Sequence, residues 1–397
     1  MMSIDIVANP IEPADCVRVV RNVKDIANLS DCWRACCHHR DIDVEWYLQE
    51  ISSSPTTRPH VLAYYQAGRP KALLIGRYEM KRPDLRIGYF RVPVRNVRSL
   101  TFPAGALVGE ISPAACQHFI DNIRASLAAG EADAATIYHC ELASPIAAIG
   151  RAHSSARRPF GRTSQVRVHR TRMLWDERTS SIIGLSAGER QHQRRRRKMM
   201  RDLGQEARVV CFCSDNEIDC LMKDVETVAA RTYQRGLLVG FVDTPQMRER
   251  LRFEARMGWL RAYVLYVADR PCAFWITNLY RGILYSYFLG FDPAYARYSP
   301  GAYLMLEVID RHSQQSAGAP ARQVDFGVGE AEYKVRFGNR LEQVVSLFMF
   351  APSVSGFTFE ALHRIVEACN SSAARVLDAS GLLPRLKRAW RSRLRHS

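Results

Sequence analysis

The sequence predicts an α/β (α+β) fold of two tandem domains, each with a mixed central sheet flanked by helices. Two observations predict it: the chain is long enough for two cores, and its two halves repeat one order of elements. Its 397 residues are ample for two domains, and 47% of them are apolar, which is enough to bury both cores. We place the domains at 1–160 and 161–350, with a basic helical tail at 351–397.

The two halves contain the same kind of β-hairpin. Residues 61–76 and 264–276 each consist of two β-rich runs around a short turn, which is typical of a hairpin. The turn sequence Arg-Pro-x-Ala occurs in both, beginning at Arg69 and at Arg270. The two hairpins are therefore the first elements of the predicted repeat.

Each hairpin is followed by a helix with the same start and then by a further strand. Ser112 and Ser299 both precede a proline; serine suits an N-cap and proline suits the first helical turn. Further β-rich runs follow at 135–139 and at 323–326. The shared order of hairpin, capped helix and strand indicates an internal duplication.

The chain is strongly basic. It holds 56 Lys and Arg against 40 Asp and Glu, a net charge of +16, which attracts nucleic acid, acidic lipid head groups or phosphorylated small molecules. The densest run, 190–201, has two interpretations: a solvated helix face, or one wall of a groove for a phosphate-bearing substrate. Sequence-specific DNA binding is not indicated, because no aromatic interleaving or recognition motif accompanies the run.

Composition also predicts the compartment. The apolar runs are far shorter than the ~20 residues that span a bilayer, and Met1–Ile11 lacks the pattern of a secretory signal. Eleven cysteines at irregular spacing indicate reduced thiols, and Cys32 and Cys36 lack the spacing of a metal site, so we predict no metal. We expect a cytoplasmic protein. The tail at 382–397 is either an interfacial helix on anionic lipid of the inner membrane or a frayed terminus.

The segment 283–301 has the pattern of a ligand site. A buried strand leads through a loop to the helix that begins at Ser299, and the first turn of a helix presents unpaired backbone N–H groups that suit a diphosphate. Gly301 lets a ligand approach the backbone, whereas the first half has Ala114 at the corresponding place. A second segment, 324–338, holds a Gly-rich turn that does not match the GxGxxG pattern, because Glu332 replaces its last glycine.

Together these segments resemble the catalytic region of GNAT-superfamily acyltransferases of the BioF2-like or cellulose-biosynthesis (CelD-like) type, which are similar to Fem-type aminoacyl ligases. The resemblance extends over about residues 165–350. The matching motifs are Gly290–Pro293, Tyr298–Gly301 and Asp325-Phe-x-x-Gly329-x-x-x-Tyr333-Lys334, with the basic helix at 194–203. The resemblance implies two GNAT-like halves, the first degenerate, and acyl transfer from acyl-CoA, such as acetyl-CoA, to an amine or hydroxyl of a small molecule or a cell-envelope or polysaccharide precursor.

The resemblance also implies the donor site. The pantetheine arm would lie along Tyr287, Phe288, Leu289 and Gly290, and the diphosphate would bind at Tyr298, Ser299, Pro300, Gly301 and Ala302. The usual GNAT loop, Arg/Gln-x-x-Gly-x-Gly/Ala, is not reproduced, because Ala296 and Ser299 replace its first two defining residues. The donor class therefore stays open between CoA, a carrier-protein thioester and an aminoacyl-tRNA.

Thioester attack needs a neutral nucleophile, a stabilised oxyanion and a proton for the leaving thiolate. We expect Lys334 to stabilise the oxyanion or to bind a phosphate of the donor. Tyr333 either protonates the leaving thiolate or packs in the core. Asp325 is a base, a partner that orients Lys334, or a cap for the glycine turn, and Glu330 is a second candidate base. His169, His192 and His312 receive no role, because they are isolated in sequence.

Two other functions stay open from the sequence. One is a Fem-type ligase that uses aminoacyl-tRNA, which the net positive charge favours, although no long helical hairpin for tRNA is evident. The other is a non-catalytic, membrane-associated scaffold in exopolysaccharide assembly, which the basic tail suggests.

Overall fold

The computed structural model describes residues 15–88, 90–152, 161–201, 207–232, 235, 240–314 and 321–379, the last seven of these by their backbone alone. The segments used above to predict location, Met1–Ile11 and 382–397, lie outside these ranges. The chain divides into two compact units. Residues 1–167 and 343–372 form the first unit, and residues 168–342 and 373–397 form the second. Residues 343–350, which the sequence alone places in the second domain, are thus part of the first unit.

The strands are β1 Cys16–Val20, β2 Arg58–Pro59, β3 Val61–Gln66, β4 Arg69–Leu74, β5 Arg77–Lys81, β6 Arg86–Ile87, β7 Phe90–Arg91, β8 Val97–Phe102, β9 Leu107–Gly109, β10 Ala134–Glu141, β11 Arg162–Met173, β12 Trp175–Asp176, β13 Ser181–Ile182, β14 Ala207–Phe212, β15 Leu260–Val267, β16 Arg270–Tyr280, β17 Ile283–Phe291, β18 Gln323–Val328 and β19 Arg340–Phe350.

The α-helices are α1 Val23–Ile26, α2 Ser30–Cys36, α3 Val44–Ser52, α4 Pro113–Ala128, α5 Pro145–Ala152, α6 Ala187–Arg201, α7 Ile218–Ala229, α8 Pro245–Arg256, α9 Pro300–Ser313, α10 Glu332–Phe337 and α11 Val354–Ala379. Short 3₁₀ helices span Ala27–Leu29, Arg40–Ile42, Asp215–Glu217 and Pro293–Tyr298.

The first unit contains two main sheets. One has the strand order β1-β3-β4-β9, and the other has β19-β10-β8-β5-β2, in which β10 and β8 run parallel. Its core includes the fully buried Trp33 and Tyr47, whose rings meet edge to face at 4.9 Å between centroids. The Tyr47 hydroxyl donates to the Gly76 carbonyl at 2.7 Å, which joins α3 to the end of the β3–β4 hairpin.

The second unit is built on one mixed sheet with the order β14-β15-β16-β17-β18-β11. Side chains alternate across β15, so Tyr263 and Leu265 enter a core with residues of α6 and α9. Ala262 and Val264 enter a second core with residues of α7 and α8 on the opposite face. The predicted α/β fold with mixed sheets flanked by helices is confirmed. Among the helices that the structure describes, none is both long and apolar enough to cross a membrane.

The two hairpins that suggested a duplication have the same geometry. Both turns contain two successive residues with positive φ, Ala67 and Gly68 in one and Ala268 and Asp269 in the other. Both also shift register at the residue after the Arg-Pro pair, where Lys71 or Cys272 forms a bulge. A bulge at the same place in each copy supports the internal repeat beyond the shared sequence.

Candidate active site

A wedge opens between two neighbouring strands of the second unit. β17 and β18 are parallel and pair over only three residues, from Ile283↔Gln323 to Tyr285↔Asp325. Beyond that point β17 continues to Phe291 and β18 to Val328. Their facing backbone groups are therefore not used in a shared ladder there, and a ligand can hydrogen-bond to them. We call this opening the wedge.

Both strands that border the wedge carry a bulge. On β17 the bulged residue is Tyr287, because Ile276 and Thr277 of β16 pair with Phe288 and Ser286. On β18 the register with β11 shifts between His169↔Val328 and Thr171↔Asp325, which leaves two residues of β18 opposite one of β11. Bulges bend a strand and redirect its side chains, and they are frequent beside active sites.

The helix that follows β17, α9, begins after a residue in the left-handed backbone conformation. Ser299 is its N-cap, with φ 50° and ψ 55°, and the Ser299 side chain accepts no capping hydrogen bond from the described residues. In the first unit Ser112 is extended, and its hydroxyl accepts from the Ala115 N–H at 3.1 Å. The prediction of a serine side-chain cap is thus correct for α4 and wrong for α9, because the left-handed backbone of Ser299 turns its hydroxyl away. A left-handed non-glycine residue is strained and typical of ligand sites.

The two glycines assigned to the donor site differ in their surroundings. A Cβ on Gly301 would meet one atom outside its own helix and chain neighbours in the described structure, Phe291 Cδ1, at an ordinary 3.5 Å. A Cβ on Gly290 would come within 2.6 Å of the Phe274 ring. Gly301 is therefore not required by packing, whereas Gly290 faces the core under α7 and α8.

The other residues assigned to the donor site are partly in the core. Leu289 and Ala302 pack against the core under α9, and Tyr298 and Pro300 are buried. Tyr287 and Phe288 pack against the opposite core and keep part of their surface exposed. Their side chains thus shape the wedge and its floor, and the groups left for a ligand are mainly backbone groups of β17 and α9.

Basic side chains of α6 lie beside the start of α9. Arg196 donates to the Arg297 carbonyl at 3.2 Å, three residues before Pro300. Arg196 and Arg336 both approach the Nε2 atom of His192, at 3.4 and 3.1 Å. Burial and these neighbouring guanidinium groups lower the pKa of His192. The basic run predicted from sequence therefore places a concentrated positive charge next to the uncapped helix end.

Lys334 is buried and holds the glycine turn. Its Nζ donates to the carbonyls of Gly327 at 3.0 Å and Val328 at 2.9 Å. Burial lowers its pKa to about 8, an effect that the charge of Asp325 only partly opposes. Lys334 belongs to α10, and its ammonium group reaches the end of β18 at the border of the wedge, where it is bonded to the backbone of the turn.

Asp325 has a partner that sequence analysis missed. Its Oδ1 accepts from the Gly327 N–H at 2.7 Å and lies 2.7 Å from His169 Nε2 on β11. Burial opposes protonation of His169, but the hydrogen bond and the charge of Asp325 outweigh it and raise the pKa of His169. Both the turn-capping role and the orienting role predicted for Asp325 are thus compatible with its contacts, although the group that it orients most directly is His169.

Tyr333 and Glu330 flank the same turn. The Tyr333 ring meets Phe326 edge to face at 6.1 Å between centroids and packs against the core under α9. Glu330 is exposed, and its carboxylate lies 4.0 Å from Arg170. Of the two candidate bases, Asp325 is therefore the one at the wedge. Among the described residues, no group of three or more His, Cys, Asp and Glu side chains is placed to hold a metal ion.

The geometry of wedge, helix start and glycine turn agrees with a family comparison. Residues 187–335 match the model of the acetyltransferase (GNAT) domain. The match begins at α6 and ends within α10, so it includes the wedge and the basic helix. No curated protein has a sequence significantly similar to this chain.

Solved structures are similar to the chain at low sequence identity. One is the C-terminal DUF2156 domain of a protein described as a lysylphosphatidylglycerol synthetase from Agrobacterium fabrum, with 13% identity, a TM-score of 0.49, and 85% of this chain and 95% of that chain covered. FemX has 9% identity and a TM-score of 0.47, covering 75% and 89%. A tandem GNAT protein from the clavulanic acid biosynthesis pathway has 12% identity and a TM-score of 0.46, covering 85% and 99%.

Proposed function

We propose that the second unit is the catalytic part of an acyltransferase that takes its acyl group from acyl-CoA, such as acetyl-CoA, and transfers it to an amine or hydroxyl. One observation carries the proposal: β17 and β18 separate after Tyr285 and Asp325 and leave a wedge that leads to the uncapped start of α9. The GNAT family match covers this region and supports the choice of reaction.

In the proposed complex, the donor arm lies along the wedge beside Tyr287, Phe288 and Leu289. The diphosphate binds the amides of Gly301 and Ala302, because no side chain in the described part of the chain caps the first turn of α9, and the helix dipole favours negative charge there. Arg196 and Arg336 add positive charge nearby. Gly290 contributes through packing rather than through direct contact with the donor.

The chemistry of transfer is assigned to the border of the wedge. An attacking amine or hydroxyl forms a bond to the thioester carbon, and the oxyanion is stabilised by backbone N–H groups of β17 near its bulge. Lys334 positions the glycine turn and contributes positive charge, and Tyr333 is the candidate proton donor for the leaving thiolate. Asp325 acts as an orienting carboxylate.

The finer assignments remain part of the proposal. The acceptor is a small molecule or a cell-envelope or polysaccharide precursor of the kind used by BioF2-like enzymes. The first unit is a scaffold copy without a donor site, since its Ser112 hydroxyl already caps α4. Peripheral membrane contact through the basic tail belongs to the same hypothesis.

The donor site is tested by calorimetry with CoA. Gly301→Glu should weaken CoA binding at least ~10-fold, about 1.4 kcal/mol, because the carboxylate occupies and repels the diphosphate site. Gly301→Ala should keep most of the affinity, since its Cβ meets Phe291 at an ordinary distance. Ala114→Glu is the matched control at the exposed start of α4 and should bind like the wild type.

Unchanged CoA affinity in Gly301→Glu would remove the donor site from this position. Consumption of aminoacyl-tRNA and not of acetyl-CoA by the wild type would replace the CoA donor with the tRNA donor of Fem-type ligases. A folded wild type that binds and consumes neither would contradict the acyltransferase assignment itself.

A further inference from the structure

His169 and Asp325 form a hydrogen-bonded pair at the vertex of the wedge. Asp325 is the last residue of β18 that pairs with β17, and the Asp325 Oδ1 atom lies 2.7 Å from His169 Nε2. The side chains are 19% and 12% exposed, so the pair is mostly shielded from solvent but not fully buried. The partner strands bring together two residues that are 156 positions apart.

The pair projects from the face of the sheet opposite α9. Val324 and Phe326 both enter the core under α9, and because strand side chains alternate, Asp325 between them points to the other face. Thr171 of β11 is the pairing partner of Asp325, and His169 lies two residues from Thr171 on the same strand, so His169 is on the same face as Asp325. The imidazole therefore lies on the face of the sheet opposite α9. A thioester held at the start of α9 would reach the wedge from one face, and an acceptor beside the imidazole would reach the thioester carbonyl from the other.

Asp325 also fixes which ring nitrogen of His169 is available. Asp325 Oδ1 is held by the Gly327 N–H at 2.7 Å, and the Gly327 carbonyl accepts from Lys334. Since Nε2 is engaged by the carboxylate, Nδ1 is the nitrogen that can accept a proton. An imidazole that a carboxylate orients in this way can serve as a general base.

We propose that His169 is the general base that takes the proton from the acceptor amine or hydroxyl, and that Asp325 is its positioning residue. The inference rests on the proposed acyltransferase function. The acceptor nitrogen or oxygen forms the new bond to the thioester carbon while its proton passes to Nδ1 of His169. The carbon–sulfur bond then breaks and Tyr333 protonates the thiolate. The tyrosinate regains a proton from solvent while the imidazolium releases its proton to solvent, so the products are the acylated acceptor and the free thiol.

The test uses the full chain, acetyl-CoA and two small nucleophiles. Ethylamine is protonated near neutral pH and needs a base, whereas hydroxylamine is largely neutral and needs little help. His169→Gln should lower kcat with ethylamine by ~10²- to 10³-fold and with hydroxylamine by less than ~10-fold. CoA affinity should stay within about 2-fold of the wild type, because the donor site is on α9. His118→Gln, at an exposed position of the first unit, is the control and should match the wild type with both nucleophiles.

A second measurement follows the imidazole itself. In the wild type, His169 should titrate by NMR above the ordinary histidine value, since Asp325 and Glu342 favour the imidazolium more than burial and Lys334 oppose it. Asp325→Asn should lower that value and reduce kcat with ethylamine more than with hydroxylamine.

The outcomes separate the two hypotheses. A wild type that consumes acetyl-CoA while His169→Gln is unchanged with both nucleophiles would overturn the inference and leave the acyltransferase assignment intact. An equal loss with both nucleophiles would also overturn it, because a purely structural role has that effect. A wild type that consumes no acetyl-CoA with either nucleophile would contradict the proposed function on which the inference rests.

Discussion

Lys334 shows how one buried cation can organise the end of a strand. Its Nζ donates to two successive carbonyls of the glycine turn, those of Gly327 and Val328, in a turn where Gly327 and Gly329 both have positive φ. A lysine is suited to this task because its flexible stem reaches several backbone acceptors with one ammonium group. The same burial makes its charge sensitive to pH.

The stability of the wild type relative to Lys334→Met should rise with pH between about 8 and 10.5. The pKa of Lys334 is lowered to about 8 by burial in the folded state from 10.5 in the unfolded chain, so in this window the unfolded chain binds the extra proton. The unfolding free energy of the wild type therefore gains up to ~1.4 kcal/mol per pH unit, and the variant lacks this gain. Urea unfolding of both proteins at pH 8 and 10 measures it.

Lys198→Met, on an exposed position of α6, is the control for that experiment. It should follow the pH dependence of the wild type. A constant difference between the wild type and Lys334→Met at both pH values would show that Lys334 is not the buried titrating group.

The residues at the wedge were predictable from the sequence to different degrees. Asp325 and Lys334 were identified because they belong to one short motif that resembles the family's, and the structure brings them to the same turn. His169 was not identified, because its contact depends on which strands are neighbours and on a bulge in their register. His169 could have been found by looking for histidines on the strands predicted to pair with β18.

At the level of elements, β17 combines tight packing on one face with an open edge. Phe288 and Gly290 face the core under α7 and α8, and Phe291 faces the core under α9. Gly290 is needed because the Phe274 ring occupies the space of a Cβ. The strand can therefore separate from β18 at one edge while both of its faces stay supported.

Gly290→Ala should lower the free energy of unfolding by ~1–3 kcal/mol, because the new methyl group would lie 2.6 Å from the Phe274 ring. Phe274→Leu should recover part of that loss in the double variant by making room for the methyl group. Gly188→Ala is the matched control: it lies in α6 with no neighbour within 4 Å, so it should be neutral or stabilising. Chemical denaturation measures all four variants, and additive effects of Gly290→Ala and Phe274→Leu would contradict the predicted contact.

The elements themselves followed from local sequence more closely than their ends did. Both hairpins formed where the Arg-Pro turns were found, and their shared bulge follows from the same local pattern. The segment 283–301 was predicted as a strand, a loop and a helix start; the strand spans Ile283–Phe291, and a 3₁₀ helix over Pro293–Tyr298 replaces the predicted loop. The left-handed backbone of Ser299 could not be predicted, because serine rarely adopts it and only the surrounding packing holds it there.

Across the whole molecule, the two copies of the repeat have diverged in how each helix start is used. Their hairpins keep the same turn and bulge. The Ser112 hydroxyl accepts a hydrogen bond from the first turn of α4, whereas the Ser299 side chain makes no such bond to α9 in the described structure. The hairpin supports the core of each unit, so it is constrained in both. In the proposed function only α9 binds a ligand at its start, and this difference is the physical basis of the proposal that the donor site lies in the second unit.

Burial in the folded state also disfavours the protonated form of several histidines in both units. Burial lowers the pKa of His60 and His363 in the first unit and of His312 in the second to about 4 each. Neighbouring arginines act in the same direction, and His312 is buried with its Nε2 atom 2.7 Å from the Tyr263 hydroxyl. These histidines are neutral in the native state near pH 7, whereas the unfolded chain protonates them as the pH falls below 6.5.

The stability of each unit should therefore decline as the pH falls from 6.5 toward 4. In that window the unfolded chain binds the protons that the folded chain rejects, so each buried histidine contributes up to ~1.4 kcal/mol per pH unit to the slope. His60→Leu should flatten the slope for the first unit, and His312→Leu should flatten it for the second. His118→Leu, at an exposed site, should leave the slope unchanged. Denaturant unfolding at pH 6.5, 5.5 and 4.5 measures these slopes, with the transition of each unit followed separately. Identical slopes in the wild type and in both buried variants would mean that acid destabilises the protein through other groups.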